Sequence, residues 1–309
     1  MGELWGITCY FNPVGYRRRL QNYHLFRRHL TIPLVTVELT YRDDFDLPAD
    51  AADILIRLRS SDVLWQKERL LNLALTALPD RCDGVAWLDC DVVFEDDDWA
   101  ARAAQALQRF PLLQPFRTVR EPAADCWDKS SGAPPNAPVG YSLAHLLSQG
   151  VITPEILRTN MRVKHRSHAG LAWVARRELL DHDGFYDACI MGGGNRVMVC
   201  GALGMPADAV YYLQMPPPWA EHYQAWAEKH FRSVRADVGC IDGGLIHLWH
   251  GDLLQRRYKE RHREFHAFDF DPTTDIALDE NGCWRWSSPK PAMHEYVARY
   301  FRERREDGN

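Results

Sequence analysis

The sequence predicts an α/β protein built on a mainly parallel sheet flanked by helices. Two observations carry that expectation. Short apolar runs rich in β-favouring residues alternate with segments of helical periodicity through residues 6–116. One of those runs, V-A-W-L at 85–88, is apolar without polar alternation, as expected of a central strand covered on both faces. Strand–helix alternation of this kind implies right-handed crossovers and parallel pairing.

The first strand is expected over residues 6–11, ending at Asn12-Pro13. Residues 16–30 read as a basic amphipathic helix with Leu20, Tyr23, Leu25 and Phe26 inward. Second and third strands follow at 34–39 and 54–58. Ser61 or Asp62 is expected to cap a helix whose buried side carries Leu64, Leu70, Leu71, Leu73 and Leu75. The stretch V-A-W-L-D-C-D-V-V-F-E at 85–95 is the fourth strand, and a helix over 99–109 and a strand over 112–116 continue the alternation. Between 120 and 150 the run E-P-A-A-D-C-W-D-K-S-S-G-A-P-P-N-A-P-V-G is too rich in Pro, Gly and Ser for a packed element. It reads as a lid, a binding loop or a disordered segment. Towards the C-terminus come a strand-like L-I-H-L-W-H-G, a charged helix over 253–265, a hairpin around D-E-N-G at 279–282 and a final amphipathic helix over 291–304.

With 309 residues the chain can bury roughly three quarters of its unfolded surface, so its core needs no metal or disulfide staple. A net charge of -5 with 46% apolar and 26% charged residues describes a globular protein with no call for a polyanionic partner, so no nucleic acid is expected. No apolar run reaches about 18 residues, and the N-terminus lacks a basic stretch followed by an apolar one. The sequence therefore predicts no transmembrane segment. The eight cysteines are scattered, without a C-x-x-C pair or zinc-ligand spacing, and read as small hydrophobes in a reducing, cytoplasmic compartment.

Asp89 and Asp91 carry the chemistry. In an extended segment, side chains at i and i+2 share a side, so these two are expected to converge while Cys90 turns away. Open α/β sheets bind ligands beyond the carboxyl ends of their strands, where this pair lies. Two carboxylates that close repel unless a cation lies between them, and oxygen ligation favours Mg²⁺ or Mn²⁺ shared with substrate phosphates. The competing reading is a plain strand terminus followed by a solvated turn. Asp96, Asp97 and Asp98 are assigned to such a turn.

W-L-D-C-D-V-V-F resembles the D-x-D motif of GT-A fold glycosyltransferases, which use a nucleotide-sugar donor and a divalent cation. The haloacid-dehalogenase phosphatase motif has the same local look, but it lies near the N-terminus and continues with other residues. The GT-A resemblance spans about residues 4–266. It implies a catalytic domain over 1–266, with a nucleotide-binding half at 1–118 and an acceptor and metal half at 119–266, and an extension at 267–309 packed on it. It further implies that I-T-C-Y-F-N-P lines the nucleotide pocket, with Tyr10, Phe11 and Asn12 at the base, and that Lys67 and Asn72 face the donor. Asp91 would be the main metal ligand and Asp89 a donor contact with a share in the metal. In H-L-W-H-G, His250 would complete the metal site, with His247 in reserve. Among Arg256, Arg257, Lys259 and Arg261, Arg257 is taken to neutralise the departing diphosphate. The implied partners are a nucleotide-sugar donor, expected to be a UDP-sugar, a glycan or other hydroxyl acceptor, and Mn²⁺ or Mg²⁺.

The acceptor half of inverting GT-A enzymes resembles H-A-G-L-A-W-V-A-R-R-E-L-L-D-H-D-G-F-Y-D-A-C-I-M-G-G-G-N. Gly184, Phe185 and Asp187 match its middle, and Gly192, Gly193 and Gly194 match its glycine turn. Asn195 stands where the family places an acidic residue. An amide cannot deprotonate an acceptor hydroxyl. Three explanations stay open: Asp187 or Asp183 serves as base, the transfer is retaining, or activity is weakened. Asn195 as a plain cap of a helix from Arg196 is the structural alternative. Two other function classes remain, a catalytically silent nucleotide-sugar binding protein and a metal-dependent phosphatase or nucleotidyltransferase.

Overall fold

The computed structural model describes residues 3–123 and 137–308. Its strands are β1 (Glu3–Phe11), β2 (Leu34–Thr40), β3 (Ile54–Arg59), β4 (Cys82–Leu88), β5 (Val92–Phe94), β6 (Leu112–Gln114), β7 (Thr118–Arg120), β8 (Val139–Ser142), β9 (Ser167–His168), β10 (Ala172–Arg176), β11 (Val238–Cys240), β12 (Gly244–His247), β13 (Ile276–Leu278) and β14 (Trp284–Trp286). A seven-stranded sheet runs β11-β6-β10-β4-β1-β2-β3, and a five-stranded sheet runs β5-β12-β7-β8-β9. In the larger sheet β1, β2, β3 and β4 pair in parallel, as do β6 and β11; β10 is antiparallel to both its neighbours. The architecture is therefore mixed α/β with a large, mostly parallel sheet flanked by helices.

The apolar run of β4 explains its central place. Val85 and Trp87 join the core on one face, while Ala86 and Leu88 join the core on the other. The helix Arg17–His29 covers the second face through Tyr23 and Phe26, and Lys67–Leu75 covers the first through Leu70, Leu71 and Leu75. A strand buried on both sides has no use for polar alternation.

The structure departs from the sequence expectations in four places. Neither Ser61 nor Asp62 caps a helix, because Asp62 accepts the Trp286 amide (2.8 Å) and the Trp65 amide bonds to the Ile190 carbonyl (3.1 Å), which holds this segment extended until Lys67. The stretch 85–95 is two strands, not one. At Asp89 the chain leaves the large sheet, its amide donating to Leu171 (2.8 Å), and at Val92 it enters the small sheet by pairing with β12. The expected loop 120–150 lies partly outside the described residues, but its last third is packed: β8 runs into the helix Leu143–Ser148, capped by Ser142, whose hydroxyl accepts from the His145 amide (3.1 Å). The charged helix over 253–265 is broken, because Arg257 adopts φ 43 and separates a 3-10 turn, Leu253–Arg256, from the helix Glu260–Phe265.

The chain's last segment closes over the N-terminal strand. Phe301 of the helix Pro291–Glu303 stacks on Trp65 (ring centroids 6.0 Å apart) and meets Phe11 edge-on. The cysteines of the described residues are all free. No helix among the described residues is long and apolar enough to cross a membrane.

Candidate active site

A cavity of about 250 Å³ opens at the carboxyl ends of β1 and β4, where Thr8, Phe11 and Asp89 to Asp91 form one wall. At its floor the side chains of Asp91, His247 and His250 bring one ligand atom each to within 4.8 Å of one another. His250 Nε2 lies 3.0 Å from Asp91 Oδ2, and the Nε2 atoms of His247 and His250 are 3.1 Å apart. Asp91 Oδ1 is buried without a hydrogen-bond partner among the described residues.

Behind the histidines stand two carboxylates. Glu121 Oε1 lies 2.9 Å from His247 Nδ1, and Glu306 Oε1 lies 4.0 Å from His250 Nδ1. An ionised carboxylate only accepts, so His247 keeps its proton on Nδ1 and turns a lone pair on Nε2 towards Asp91. Arg256 donates to His250 Nε2 at 2.8 Å, which marks that nitrogen also as an acceptor. The lone pairs of both imidazoles, that of His250 contested by the Arg256 guanidinium, and a carboxylate oxygen thus converge, a donor set that suits a divalent cation. Carboxylates behind the ligating imidazoles are the usual support of such a centre. Burial would raise the Asp91 and Glu121 carboxyls, yet His250, His247 and Arg256 hold Asp91, and His247 and Arg162 hold Glu121, well below the usual carboxylate range. The group therefore fits a divalent cation.

The rest of the lining is strongly cationic. Lys67 pairs with Asp89, Arg162 with Glu121, and Arg19 and Arg304 with Glu306. Arg196, Arg256 and Arg261 also line the cavity, and none of them pairs with a carboxylate among the described residues: Arg196 donates to the carbonyls of Leu157 and Thr159, Arg256 to His250 Nε2 at 2.8 Å and the Tyr258 phenol at 3.2 Å, and Arg261 to the Arg256 carbonyl at 3.3 Å. Their charge accumulates at the cavity. The Tyr258 phenol registers it: burial works against ionisation, yet Arg256, Arg162 and Arg261 bring the group down to about 7.

No protein-family model matches the chain, and no curated protein matches it. Solved structures of low similarity do. Glucosyl-3-phosphoglycerate synthase from Mycobacterium tuberculosis, in complex with Mn²⁺, UDP and phosphoglyceric acid, is 11% identical and aligns over 90% of this chain and 82% of its own, with a TM-score of 0.40. The catalytic domain of Drosophila β1,4-galactosyltransferase 7, complexed with xylobiose, is 10% identical over 96% of this chain and 98% of its own, with a TM-score of 0.38. TarS of S. aureus in complex with UDP-GlcNAc is 10% identical, with a TM-score of 0.39, and the alignment spans 80% of this chain and 58% of the TarS segment.

The structure distributes the residues singled out in the sequence unevenly. Phe11, Lys67, Asp89, Asp91, Asn195, His247 and His250 line the cavity. Asp89 and Asp91 share the cavity wall with different partners: Asp89 ion-pairs with Lys67 and accepts the Leu171 amide (3.2 Å), while Asp91 faces the two histidines. Asn195 lies in the first turn of the helix Gly194–Ala202, whose N-cap is Gly193, so it does not cap a helix from Arg196. The preceding glycines, Gly192 (φ 76) and Gly193 (φ 108), take the left-handed backbone that the turn needs.

Tyr10, Asn12, Asn72, Asp183, Asp187 and Arg257 lie outside the cavity. Tyr10 donates to Asp46 (3.0 Å), and Asn12 accepts the Gly15 and Tyr16 amides (3.2 and 2.9 Å), closing the turn after β1. Asn72 donates to Asp187 (2.9 Å) and grips both backbone groups of Phe185, while Arg69 pairs with Asp187 at 3.2 Å. Arg257 turns to Glu264 and Glu303, its backbone reversal sending it away from Arg256 and Arg261. The Asp183 side chain is 0% exposed and accepts from His182, His230 and Ser233 at 2.7, 3.0 and 3.2 Å. Burial opposes its ionisation, but these donors hold the carboxyl below its ordinary value.

Asp183 accordingly has the environment of a structural anion. Asp183→Asn is expected to cost about 2–3 kcal/mol of stability in urea unfolding, the worth of a charge-assisted hydrogen-bond set, without changing the affinity for any cavity ligand. Because the folded group ionises at lower pH than the unfolded one, its contribution is present above the ordinary carboxylate range and disappears as pH falls through the lowered value. A wild-type-like midpoint in Asp183→Asn, or a change in ligand affinity, refutes this assignment.

Glu68, Glu121, Arg162, Arg196 and Glu306 are cavity or support residues that the sequence did not single out. Glu121 and Glu306 sit in polar stretches without motif or periodicity, so no local signal marks them.

Proposed function

We propose that the protein is a metal-dependent glycosyltransferase that moves a sugar from a nucleoside-diphosphate donor, a UDP-sugar for preference, to the hydroxyl of a glycan or other acceptor. One observation carries the reading: a two-imidazole, one-carboxylate group and three arginines without carboxylate partners among the described residues face the same cavity at the carboxyl ends of parallel strands. A diphosphate is the ligand that such a site suits, since it takes charge from both.

In this reading Arg256 and Arg261 bind the diphosphate and offset the charge that grows on it as it leaves. Asp89, held in place by Lys67 and the Leu171 amide, accepts hydrogen bonds from donor hydroxyls. Asp91, His247 and His250 hold the cation, and two imidazoles favour Mn²⁺ over Mg²⁺. When bound, such an ion acts as a Lewis acid on the phosphate oxygens. We take residues 1–266 as the catalytic domain and 267–309 as an extension that supplies Glu306 to it. The free cysteines suit a reducing compartment, which we take to be the cytoplasm.

The test is a thermal-shift screen of nucleotide sugars with and without Mn²⁺, followed by analysis of the products. A donor at about a hundred times its Kd stabilises the protein by about 2.7 kcal/mol, and the gain is expected to vanish with a chelator. Stabilisation that ignores Mn²⁺ contradicts the metal role. Release of orthophosphate or pyrophosphate in place of a nucleoside diphosphate points to a phosphatase or nucleotidyltransferase.

A further inference from the structure

Among the described residues, Glu68, Asp89 and Asp91 are the carboxylates that line the cavity. Asp89 is paired with Lys67, and Asp91 faces the two histidines. Glu68 is 6% exposed and makes no ion pair with any described residue. It sits in the first turn of Lys67–Leu75, and its carboxyl packs against Gly194 at the start of the helix Gly194–Ala202. A Cβ at position 194 would overlap the Glu68 carboxyl, so this acid fills the volume into which a side chain at 194 would project. The adjoining Asn195 also lines the cavity, with its amide against Gly170. An acid is thus delivered from another helix to the very turn whose own polar residue is an amide.

From this arrangement we propose that Glu68 is the general base of the transfer, which makes the enzyme inverting. The inference rests on the glycosyltransferase reading of the cavity. In the step it describes, the acceptor hydroxyl gives its proton to the Glu68 carboxylate while its oxygen bonds to the anomeric carbon. The bond from that carbon to the β-phosphate oxygen breaks, and its electron pair leaves with the nucleoside diphosphate. The anomeric configuration is inverted, and the proton passes from Glu68 to water.

The surroundings of Glu68 suit a base. Burial pushes its carboxyl up to about 7, against the pull of Lys67. A base is most effective when its pKa lies near the working pH. The charged and titratable groups acting on it are Lys67 on its own helix, Asp89 beyond β4, Cys9 on β1, and Asp187 and Cys189 ahead of the glycine turn.

Water can stand in for the acceptor in the test. UDP-glucose, UDP-galactose and UDP-N-acetylglucosamine are incubated with Mn²⁺ and the wild-type protein, Glu68→Gln or Glu68→Asp, and both UDP release and donor affinity by calorimetry are measured. Glu68→Gln is expected to bind the donor within about threefold of the wild type while UDP release falls about 10²–10⁴-fold. Glu68→Asp recovers part of the rate, and the wild-type rate falls below about pH 7 along a limb that Glu68→Gln lacks. UDP release by Glu68→Gln within about threefold of the wild type overturns the base assignment and leaves the glycosyltransferase standing. A wild type that binds donor and releases no UDP also overturns it, and one that binds none of the three donors refutes the function and the base together.

Discussion

Asp91→Asn is expected to weaken Mn²⁺ binding by more than about a hundredfold, beyond the range seen when a residue behind a metal ligand is lost. Of the three candidate ligands, Asp91 alone carries a charge, and its Oδ1 is buried with no other partner. The amide keeps the volume and removes the charge. Donor binding that depends on Mn²⁺ should disappear with it, while the chain stays folded, because the backbone bond from the Leu248 amide to the Asp91 carbonyl (2.8 Å) does not involve the side chain. Calorimetry with MnCl₂, alone and with UDP, reads the result. An affinity equal to that of the wild type refutes Asp91 as a ligand.

Glu306→Gln should be the most destabilising of the substitutions considered. The carboxyl of Glu306 is 1% exposed and pairs with Arg304 and with Arg19 at 3.1 Å, tying the end of the chain to the helix Arg17–His29. Burial works against the charge, but Arg19, Arg304 and His250 hold the carboxyl well below its usual range. Neutralising it strands two arginines, of which Arg304 is 5% exposed. Breaking a buried pair in this way costs about 3–5 kcal/mol, or about 5–8 °C in melting temperature for a chain of this size. Mn²⁺ affinity should also fall about tenfold, since Glu306 stands behind His250. A melting temperature unchanged from that of the wild type contradicts this account, and unchanged Mn²⁺ affinity in a destabilised variant separates the structural role from the metal one.

The D-x-D stretch shows how far local reading reaches. V-A-W-L told that β4 is buried on both faces, and the following charges told that its carboxyl end is the place for chemistry. The continuous strand assumed for Asp89 and Asp91 is absent, because here the chain crosses from one sheet to the other between them, and the partners of each, Lys67 for Asp89 and the histidines for Asp91, were not legible locally. The run of basic residues after His250 behaved alike. Its charge was legible, but which arginine enters the cavity depends on the reversal at Arg257, and the two that enter are Arg256 and Arg261.

By itself the sequence determined the α/β architecture, the central place of β4 and the concentration of polar residues beyond its end. Periodicity and propensity act between neighbours in the chain, so such features survive without knowledge of the rest. The tertiary structure decided the charges in and around the cavity: Glu121 and Glu306 behind the histidines, Lys67 against Asp89, and Glu68 at the glycine turn. Their pairing is set by desolvation and by contacts between elements far apart in sequence, and burial fixes which carboxyl is held ionised and which is raised. The opening pair of aspartates therefore has two sets of partners, the histidines for Asp91 and Lys67 for Asp89, and the passage of the chain from one sheet to the other lies between them.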